Sequence, residues 1–175
     1  MIDCPTCGAE NFPGADECSE CGQPLSDLHL QTPESELEQH LLADRVSVLE
    51  PKKPITIEQG MPVRDVLQLM VNQKIGCLII ADEGKPIGIF SERDALMKLN
   101  VDVDTFGDRP VSDFMTHNPH TLEGNAKLVF ALQRMDVGGY RHLPIVDDEG
   151  ELTGIVSVRD ILQYLAKAVT ASSTA

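Results

Sequence analysis

Four of the five cysteines lie near the N-terminus in a C-x2-C-x10-C-x2-C pattern, at Cys4, Cys7, Cys18 and Cys21. Because no secretory signal is visible, this spacing indicates metal ligands rather than disulfides. Four thiolates complete a tetrahedral cage and leave no position for a catalytic water. We therefore predict a structural Zn2+ site, with an iron site as the alternative. Gly8 and Gly22 follow the second cysteine of each pair and should turn the chain with a positive φ.

A second pattern, Ser-x-Arg-Asp, occurs at Ser91–Asp94 and again at Ser157–Asp160. Each serine follows a predicted strand, and an acid three residues later has the spacing of a capping box at a helix start. The free N–H groups of a helix start also form a natural phosphate site. Arg93 and Arg159 lie in the first turn, where the helix dipole disfavours a cation, so a bound anion would explain their placement. Helix capping and ligand binding both stay open for these residues.

The residues around both patterns belong to an internal repeat. Thr56 recurs 65 residues later as Thr121, and Asp94 recurs 66 residues later as Asp160. Repeat 1 spans 46–100 and repeat 2 spans 111–167, with a connector at 101–110. The hydrophobic spacing in each copy predicts the order β-α-β-β-α. We expect an α+β fold in which the two repeats pack with pseudo-twofold symmetry, preceded by the cysteine-rich segment.

The periodicity also predicts which side chains of the repeat helices face the core. The first helix of each copy has apolar residues at i, i+3, i+4 and i+7, namely Val63, Val66, Leu67 and Met70, matched by Leu128, Ala131, Leu132 and Met135. Strands are predicted at 77–81, 86–90, 143–146 and 152–156. The second helix of each copy should turn inward Ala95, Leu96 and Leu99, and Ile161, Leu162 and Leu165.

The motifs resemble those of two known families. Gly88–Asp94 and Gly154–Asp160 fit the signature G-h-h-[ST]-x-x-D, and Tyr140–Asp147 is a typical strand of the same family. On these motifs each repeat resembles a CBS (cystathionine-β-synthase-like) domain, and the pair resembles a Bateman module. Residues 1–26 resemble a zinc ribbon in their short CxxCG knuckles. The resemblance implies a regulatory module that binds AMP, ADP, ATP, S-adenosylmethionine or a related adenosyl ligand.

The resemblance also implies roles for individual residues. The aspartates would accept hydrogen bonds from ribose hydroxyls, the serines and threonines would reach ribose or phosphate, and backbone at the start of the strands would flank adenine. The implied ligand-binding residues are Thr56, Gly76, Leu78, Ser91, Arg93, Asp94, Thr121, Arg141, His142, Pro144, Ser157, Arg159 and Asp160.

The two ligand positions are predicted to be unequal. Arg141 and His142 of repeat 2 correspond to Gly76 and Cys77 of repeat 1, so only repeat 2 offers two side-chain phosphate donors there. A surface role for Arg141 and a structural role for His142 remain the alternatives. Cys77, on an apolar strand, is expected to be a small buried hydrophobe.

The charge is concentrated at the N-terminal end of the chain. Residues 1–44 hold ten acids and no Lys or Arg, out of a formal net charge of −14. This segment would repel a phosphate backbone, so we expect no nucleic-acid partner. Residues 27–45 should form an acidic linker with a short helix, and 168–175 a flexible tail. No apolar run reaches the roughly 20 residues of a membrane span, and we expect a cytoplasmic protein.

These observations favour a non-enzymatic sensor that binds an adenosyl ligand in the CBS pair and carries a structural zinc ribbon. No nucleophile elbow, phosphate-binding Walker loop or HExxH motif is present. The alternative is an interaction adaptor, in which the pair is a dimerisation scaffold and the ribbon binds a protein. The resemblance also implies a homodimer and an unidentified regulated protein as partners.

Overall fold

The structure is a computed structural model that describes residues 2–4, 8–12, 15, 17–23, 25, 36–99 and 103–172. Near the N-terminus, β1 (Ile2–Asp3) pairs antiparallel with β2 (Glu10–Asn11). The helix α1 (Glu36–Ala43) lies inside the predicted linker, as expected, and a 3-10 helix follows at Val46–Leu49. Ser35, the predicted cap of α1, lies outside the described residues.

Repeat 1 contains the predicted order of elements. It comprises β3 (Thr56–Ile57), α2 (Val63–Gln73), β4 (Cys77–Asp82), β5 (Lys85–Ser91) and α3 (Glu92–Asp94). The last helix continues as a π-helical segment, Ala95–Leu99. A parallel pair, β3 with β4, and an antiparallel pair, β4 with β5, form a sheet that is extended by β6 (Thr116–His117) on the far side of β5.

Repeat 2 follows the same plan after α4 (Val103–Phe106), which lies in the predicted connector, and a 3-10 helix at Val111–Asp113. Its later elements are β7 (Leu122–Glu123), α5 (Leu128–Gly138), β8 (His142–Val146), β9 (Leu152–Ser157) and α6 (Val158–Ser172). The strands β7, β8 and β9 form a three-stranded sheet in that order. The predicted α+β class is confirmed, and α6 continues into the segment expected to be a flexible tail.

The predicted helix face of α2 supplies much of the repeat 1 core. Val63, Val66 and Met70 are buried and Leu67 is partly buried, beneath a sheet face formed by Leu78, Ile80 and Phe90. The apolar residues recur every three or four positions on α2 and alternate on β5, so each element turns one side toward this core. The same positions of α5 are buried, at Leu128, Ala131 and Met135.

Two compact units divide the described chain, and neither is a repeat alone. One comprises 1–51, 122–143 and 156–175, and the other comprises 52–121 and 144–155. In the first, the N–H groups of Val46 and Ser47 donate to the carbonyls of Ala126 and Gly124, at 2.8 and 3.0 Å. In the second, Val111 donates to Met61 at 2.9 Å. Each repeat therefore begins with a segment that pairs with the other repeat.

The second helices differ from prediction at two equivalent positions. Leu96 is 75% exposed and Leu162 is 58% exposed, so the expectation that both face inward is wrong. Leu99 and Ile161 are buried, as predicted. In an α-helix a neighbouring residue lies about 100° further around the axis, so a stripe through Ile161 and Leu165 leaves Leu162 on the outside. Leu96 follows the partly buried Ala95 as Leu162 follows Ile161, so it also lies on the outside, here on a π-helical segment.

Candidate functional site: the two strand-to-helix junctions and the cysteine cluster

The first Ser-x-Arg-Asp pattern forms a capping box at the junction of β5 and α3. The hydroxyl of Ser91 accepts a hydrogen bond from the N–H of Asp94 at 3.3 Å, and Asp94 Oδ2 accepts one from the N–H of Ser91 at 2.9 Å. The Ser91 hydroxyl also donates to the same oxygen at 2.6 Å. These bonds satisfy orphan donors at the helix start, so the capping interpretation is confirmed for this repeat.

The other carboxylate oxygen of Asp94 is bound by two side chains from elsewhere. Lys98 Nζ lies 2.8 Å from Asp94 Oδ1, and the Thr116 hydroxyl donates to the same atom at 2.9 Å. Asp94 is only 8% exposed. Burial alone would raise its pKa, but the hydrogen bonds from Lys98, Ser91 and Thr116 outweigh burial and hold the pKa below the ordinary value of 3.8. The carboxylate is therefore charged at neutral pH.

Repeat 2 forms the same junction between β9 and α6. The N–H and the hydroxyl of Ser157 donate to Asp160 Oδ2 at 2.8 and 2.6 Å, and Asp160 is also 8% exposed. The residue equivalent to Lys98 is Tyr164, whose hydroxyl donates to Asp44 Oδ2. Burial, followed by the hydrogen bond to Asp44 and its charge, raises the pKa of Tyr164 to about 12. Tyr164 therefore donates its proton to Asp44 throughout the physiological range.

A matched pair of backbone bonds anchors the two helix starts. In repeat 1 the N–H of Glu92 donates to the carbonyl of Gly76 at 3.0 Å, and in repeat 2 the N–H of Val158 donates to the carbonyl of Arg141 at 3.0 Å. The implied adenine-flanking segment and the Ser-x-Arg-Asp segment are thus adjacent in both repeats. One N–H of each helix start is used by this bond, which leaves fewer donors for an anion.

A close steric contact explains why glycine occupies the first motif position of repeat 1, Gly88. A Cβ added at Gly88 would lie 2.2 Å from Met115 Sδ, well inside contact distance. Gly88 is the position of β5 that pairs with His117 of β6, so Met115, which is buried, packs directly over it. Only a residue without a side chain allows β6 and the segment before it to approach β5 this closely.

The remaining implied ligand residues divide between the two units. Thr56 on β3 and Arg93 are exposed, and Thr121 is half-buried. Leu78 and Pro144 are buried. All of these residues lie within the unit of 52–121 and 144–155. Arg141 and Arg159 are exposed and His142 is half-buried, within the other unit.

Cys77 is buried at the start of β4, as predicted. Burial, followed by the charges of Glu92 and Asp94, raises the pKa of its thiol to about 12. A thiol with this pKa stays protonated at neutral pH and is a poor nucleophile and a poor metal ligand.

The cysteine cluster has the geometry that a tetrahedral metal requires. Sγ atoms of Cys4, Cys18 and Cys21 all lie within 4.8 Å of one another, and those of Cys4 and Cys21 are 3.6 Å apart. Zn–S bonds of about 2.3 Å in a tetrahedron put the sulfurs about 3.8 Å apart. The three described cysteines therefore fit a zinc ion; Cys7 lies outside the described residues.

The two knuckles have the predicted backbone form. Gly8 and Gly22 have φ values of 74° and 68°, and their N–H groups donate to the carbonyls of Cys4 and Cys18 at 2.8 and 2.9 Å. The side chain of Asn11, which is buried, links the second knuckle to β2: its Nδ2 lies 3.6 Å from Cys18 Sγ, and its Oδ1 accepts from the N–H of Ser19 at 3.0 Å. A donor aimed at a ligand sulfur orients it and moderates its charge.

Helix α5 contacts both knuckles through adjacent residues. Gln133 Nε2 donates to the side-chain oxygen of Gln23 at 2.7 Å, and Arg134 donates to the carbonyl of Cys4 at 3.4 Å. The cysteine cluster is therefore joined to repeat 2 by hydrogen bonds of its own backbone and flanking residues.

The sequence reasoning missed Lys98 and Thr116, the two outer partners of Asp94, and it also missed Asn11. Lys98 stands at i+4 from Asp94, and a comparison of the repeats at that position, Lys98 against Tyr164, could have indicated it. Thr116 lies 22 residues from Asp94 and meets it only because β6 crosses to β5. No sequence signal indicates that contact.

No helix among the described residues has both the length and the apolar character that crossing a bilayer requires.

Comparison with known proteins finds relatives across the repeats. An uncharacterized 17.7 kDa protein of Acidianus ambivalens is 30% identical over 126 residues, which cover 71% of this chain and 74% of that protein. The chain spans only 22% to 55% of the length of seven other curated relatives that it matches.

Solved structures match the same part of the chain. An uncharacterized conserved protein from Pyrococcus horikoshii aligns with a TM-score of 0.62 at 26% identity, over 70% of this chain and 92% of its own. A CBS domain protein from Pyrobaculum aerophilum, solved in complex with AMP, aligns with a TM-score of 0.60 at 25% identity, over 71% of this chain and 99% of its own.

The sequence model of the CBS domain matches the chain twice, at 48–100 and 111–167. These matches cover more than half of the 175 residues. The chain therefore belongs to the CBS domain family and contains a tandem pair of its domains.

Proposed function

We propose that this protein is a non-enzymatic sensor that binds an adenosyl ligand through its CBS pair and carries a zinc ribbon as a structural accessory. The observation that carries the proposal is the buried carboxylate at a strand-to-helix junction, held by the serine of the same motif and present in both repeats. The AMP complex of the Pyrobaculum aerophilum relative supports the choice of ligand class.

The chemistry of the junction suits a ribose. A carboxylate accepts two hydrogen bonds per oxygen, so it can hold two adjacent hydroxyls, and a serine beside it can donate or accept. In this proposal Asp94 or Asp160 faces the ribose diol, with Ser91 or Ser157 beside it. The exposed arginines Arg141 and Arg159 would then attract a phosphate of the ligand.

Binding would act as a signal by shifting the protein between two states. A ligand moves such an equilibrium only by the difference between its affinities for the two states. The regulated surface belongs to a partner protein or to a second copy of this chain, as the resemblance implies.

The test is a thermal shift assay on metal-loaded protein with AMP, ADP, ATP and S-adenosylmethionine, and with GMP as a base control. Ligand at 100 times its Kd should add about 2.7 kcal/mol, a rise in Tm of roughly 5–10 °C for a chain of this size. Asp160→Asn should reduce the shift, while Asp148→Asn, an exposed acid in a turn, should not. A Tm that no adenosyl compound raises contradicts the proposal.

The ribbon's zinc would be structural in this proposal. A segment this small cannot bury enough apolar surface to fold alone, and zinc ligation contributes on the order of 10 kcal/mol in comparable peptides. Cys4, Cys7, Cys18 and Cys21 would hold the ion, and Asn11 would orient Cys18.

An interaction adaptor is the second candidate, and one observation favours it. Phe12 of the ribbon is 80% exposed. It lies within residues 1–44, which carry ten acids and no Lys or Arg. Exposed aromatic residues are enriched at protein interfaces. An adenosyl nucleotide that co-purifies with the protein would argue against this candidate, whereas a metal-dependent complex that no nucleotide alters would favour it.

A further inference from the structure

The outer side of α5 differs from that of its counterpart in repeat 1, α2. Val129 and Phe130 of α5 are apolar and half-buried, whereas the equivalent residues of α2, Arg64 and Asp65, are charged and exposed. A helix that is apolar on more than one side is covered on more than one side. We therefore looked for the part of the chain that packs on the outer side of α5.

The N-terminal segment packs against α5 through both the ribbon and α1. Gln133 donates to the side chain of Gln23 at 2.7 Å, and Arg134 donates to the carbonyl of Cys4 at 3.4 Å. The carbonyl of Gln23 in turn accepts from the N–H of Cys18 at 2.7 Å, so both contacts of α5 reach a cysteine knuckle. The helix α1, which follows the ribbon, contacts α5 and α6.

The end of α1 joins the start of α5 to α6. The carbonyl of Asp44 accepts from the N–H of Leu128, the first residue of α5, at 2.8 Å. The carboxylate of the same residue accepts from the hydroxyl of Tyr164 on α6. The N-terminal segment therefore holds α5 at its start, through Asp44, and again in its second half, through the ribbon.

The other end of α5 leads directly to the junction of β9 and α6. Gly139 ends the helix with a φ of 62°, and the N–H of Tyr140 donates to the carbonyl of Met135 at 3.0 Å. The carbonyl of the next residue, Arg141, accepts from the N–H of Val158 at the start of α6, at 3.0 Å. A shift of α5 would therefore move the segment expected to flank adenine and the helix start beside it.

The corresponding helix of repeat 1 is held by a segment outside the ribbon. The N–H groups of Val63 and Arg64, at the start of α2, donate to the carbonyls of Arg109 and Gly107 at 2.9 and 3.0 Å. Arg109 is the equivalent of Asp44, 65 residues later, and it lies in the connector 101–110, which contains no cysteine. These contacts give a metal-dependent ribbon direct access to α5 and not to α2.

We propose that metal bound by the ribbon and an adenosyl ligand bound at the junction of β9 and α6 are thermodynamically coupled through α5, so that each strengthens binding of the other. The metal-loaded ribbon holds α5 in the position that the ligand requires, and loss of metal releases the knuckles from Gln133 and Arg134. Coupling between two sites is reciprocal and typically changes affinity by about 5- to 150-fold. The inference rests on the proposed function and gives the ribbon a regulatory role within it.

The first test is hydrogen–deuterium exchange of the full chain without nucleotide, zinc-loaded and after treatment with a chelator. Removal of zinc should reduce amide protection in α5 and at the start of α6 by about fivefold or more, and it should leave α2 unchanged. This measurement needs no variant and does not depend on which compound binds. Unchanged protection in α5, or an equal loss in α2 and α5, would overturn the inference.

The second test is isothermal titration of zinc-loaded protein with AMP, ADP, ATP and S-adenosylmethionine. The variant Gln133→Ala/Arg134→Met keeps every cysteine and removes the hydrogen bonds from α5 to the ribbon, so its Kd should rise about fivefold or more. The control variant, Gln68→Ala/Arg64→Met, changes two exposed polar residues of α2 and should bind as the wild type does. Equal Kd values for the two variants would overturn the role of α5.

Zinc affinity supplies the reciprocal measurement on the wild type. Competition with a chromogenic chelator should show that saturating AMP or ATP tightens zinc binding about fivefold or more, whereas GMP and GTP control for zinc bound by the nucleotide itself. An adenosyl compound that binds without altering zinc affinity would overturn the coupling and leave the adenosyl sensor in place. No binding of any of the four compounds by the zinc-loaded wild type would overturn the proposed function, and the coupling with it.

Discussion

Asp94 keeps its charge in a buried position because its hydrogen-bond donors outweigh the cost of burial. Ser91 supplies two donors from its own turn, and Lys98 and Thr116 supply two from other segments. Hydrogen bonds to charged groups contribute about 1.5–3 kcal/mol, more than those between neutral groups. The carboxylate therefore links the end of β5 and the helix that follows it to β6, the first strand of repeat 2, and stabilises the fold even without a ligand.

Asp94→Asn should lower the free energy of unfolding at pH 7 by about 1.5–3 kcal/mol, measured by urea unfolding. The pKa of Asp94 in the folded state lies below its ordinary value of 3.8, so the charge stabilises the fold above that value. This stabilisation is lost as the pH falls through the lowered pKa. The difference between wild type and variant should therefore be constant near neutrality and shrink below about pH 4.

A matched control for this prediction is Asp108→Asn. Asp108 forms an exposed ion pair with Arg64 at 3.0 Å, and exposed pairs contribute about 0–1 kcal/mol. Equal losses in the two variants, or a loss in Asp94→Asn that persists unchanged below pH 4, would contradict the account of Asp94.

The fifth cysteine, Cys77, should differ from the other four in its reactivity toward thiol reagents. Cys77 has a pKa of about 12 because it is buried beside Glu92 and Asp94, so it should not react with a thiol reagent at pH 7.5 while the protein is folded. With metal bound, the cysteines of the ribbon should also be protected. After chelation four thiols should react rapidly, and the fifth only on unfolding.

The variant Cys77→Ala identifies the slow thiol, because it should leave four thiols in total. Four rapid thiols before any chelator is added would contradict the metal site. A fifth thiol that reacts rapidly in the folded protein would contradict the burial of Cys77.

At the scale of elements, most helices and strands could be predicted from the local periodicity of apolar residues. The residues of α2 and α5 expected inside are buried or partly buried, and each predicted strand is present within one or two residues. The errors at Leu96 and Leu162 arose because three apolar residues at i, i+1 and i+4 do not show which two of them face the core. The contact of Thr116 with Asp94 was unpredictable because it depends on the pairing of β6 with β5. The capping box could be predicted from the spacing of Ser91 and Asp94, whereas the contact of Thr116 with Asp94 depends on tertiary structure.

The close approach of Met115 to β5 is a tertiary feature that can be tested directly. Gly88→Ala should lower the free energy of unfolding by about 1–3 kcal/mol, since the added Cβ would overlap Met115 Sδ in a buried place. Gly60→Ala is the control, because nothing lies within 4 Å of a Cβ there. Thermal or urea unfolding measures both.

A double-mutant cycle with Met115→Ala identifies the cause. The double variant Gly88→Ala/Met115→Ala should be less destabilised than the sum of the two single variants, because removing the sulfur relieves the overlap. Additive losses would show that Gly88 serves the backbone rather than the contact with Met115.

At the scale of the whole molecule, the negative charge is uneven and bears on the ligand. The net charge is −14, and the first 44 residues contribute −10 of it. A net negative charge weakly repels a polyphosphate at long range, but salt screens this repulsion beyond about 8 Å under physiological conditions. In the proposed function, local groups such as Arg141 and Arg159 would therefore decide whether a phosphate is accepted, and we expect the acidic N-terminal segment to disfavour nucleic acid as a partner.

A native mass spectrum of the full chain, recorded with metal retained and AMP or ATP in excess, tests the central claim most directly. The account predicts a mass increase that corresponds to one zinc ion and at least one adenosyl ligand for each chain. A chain that carries zinc but no adenosyl compound at saturating concentration would contradict it.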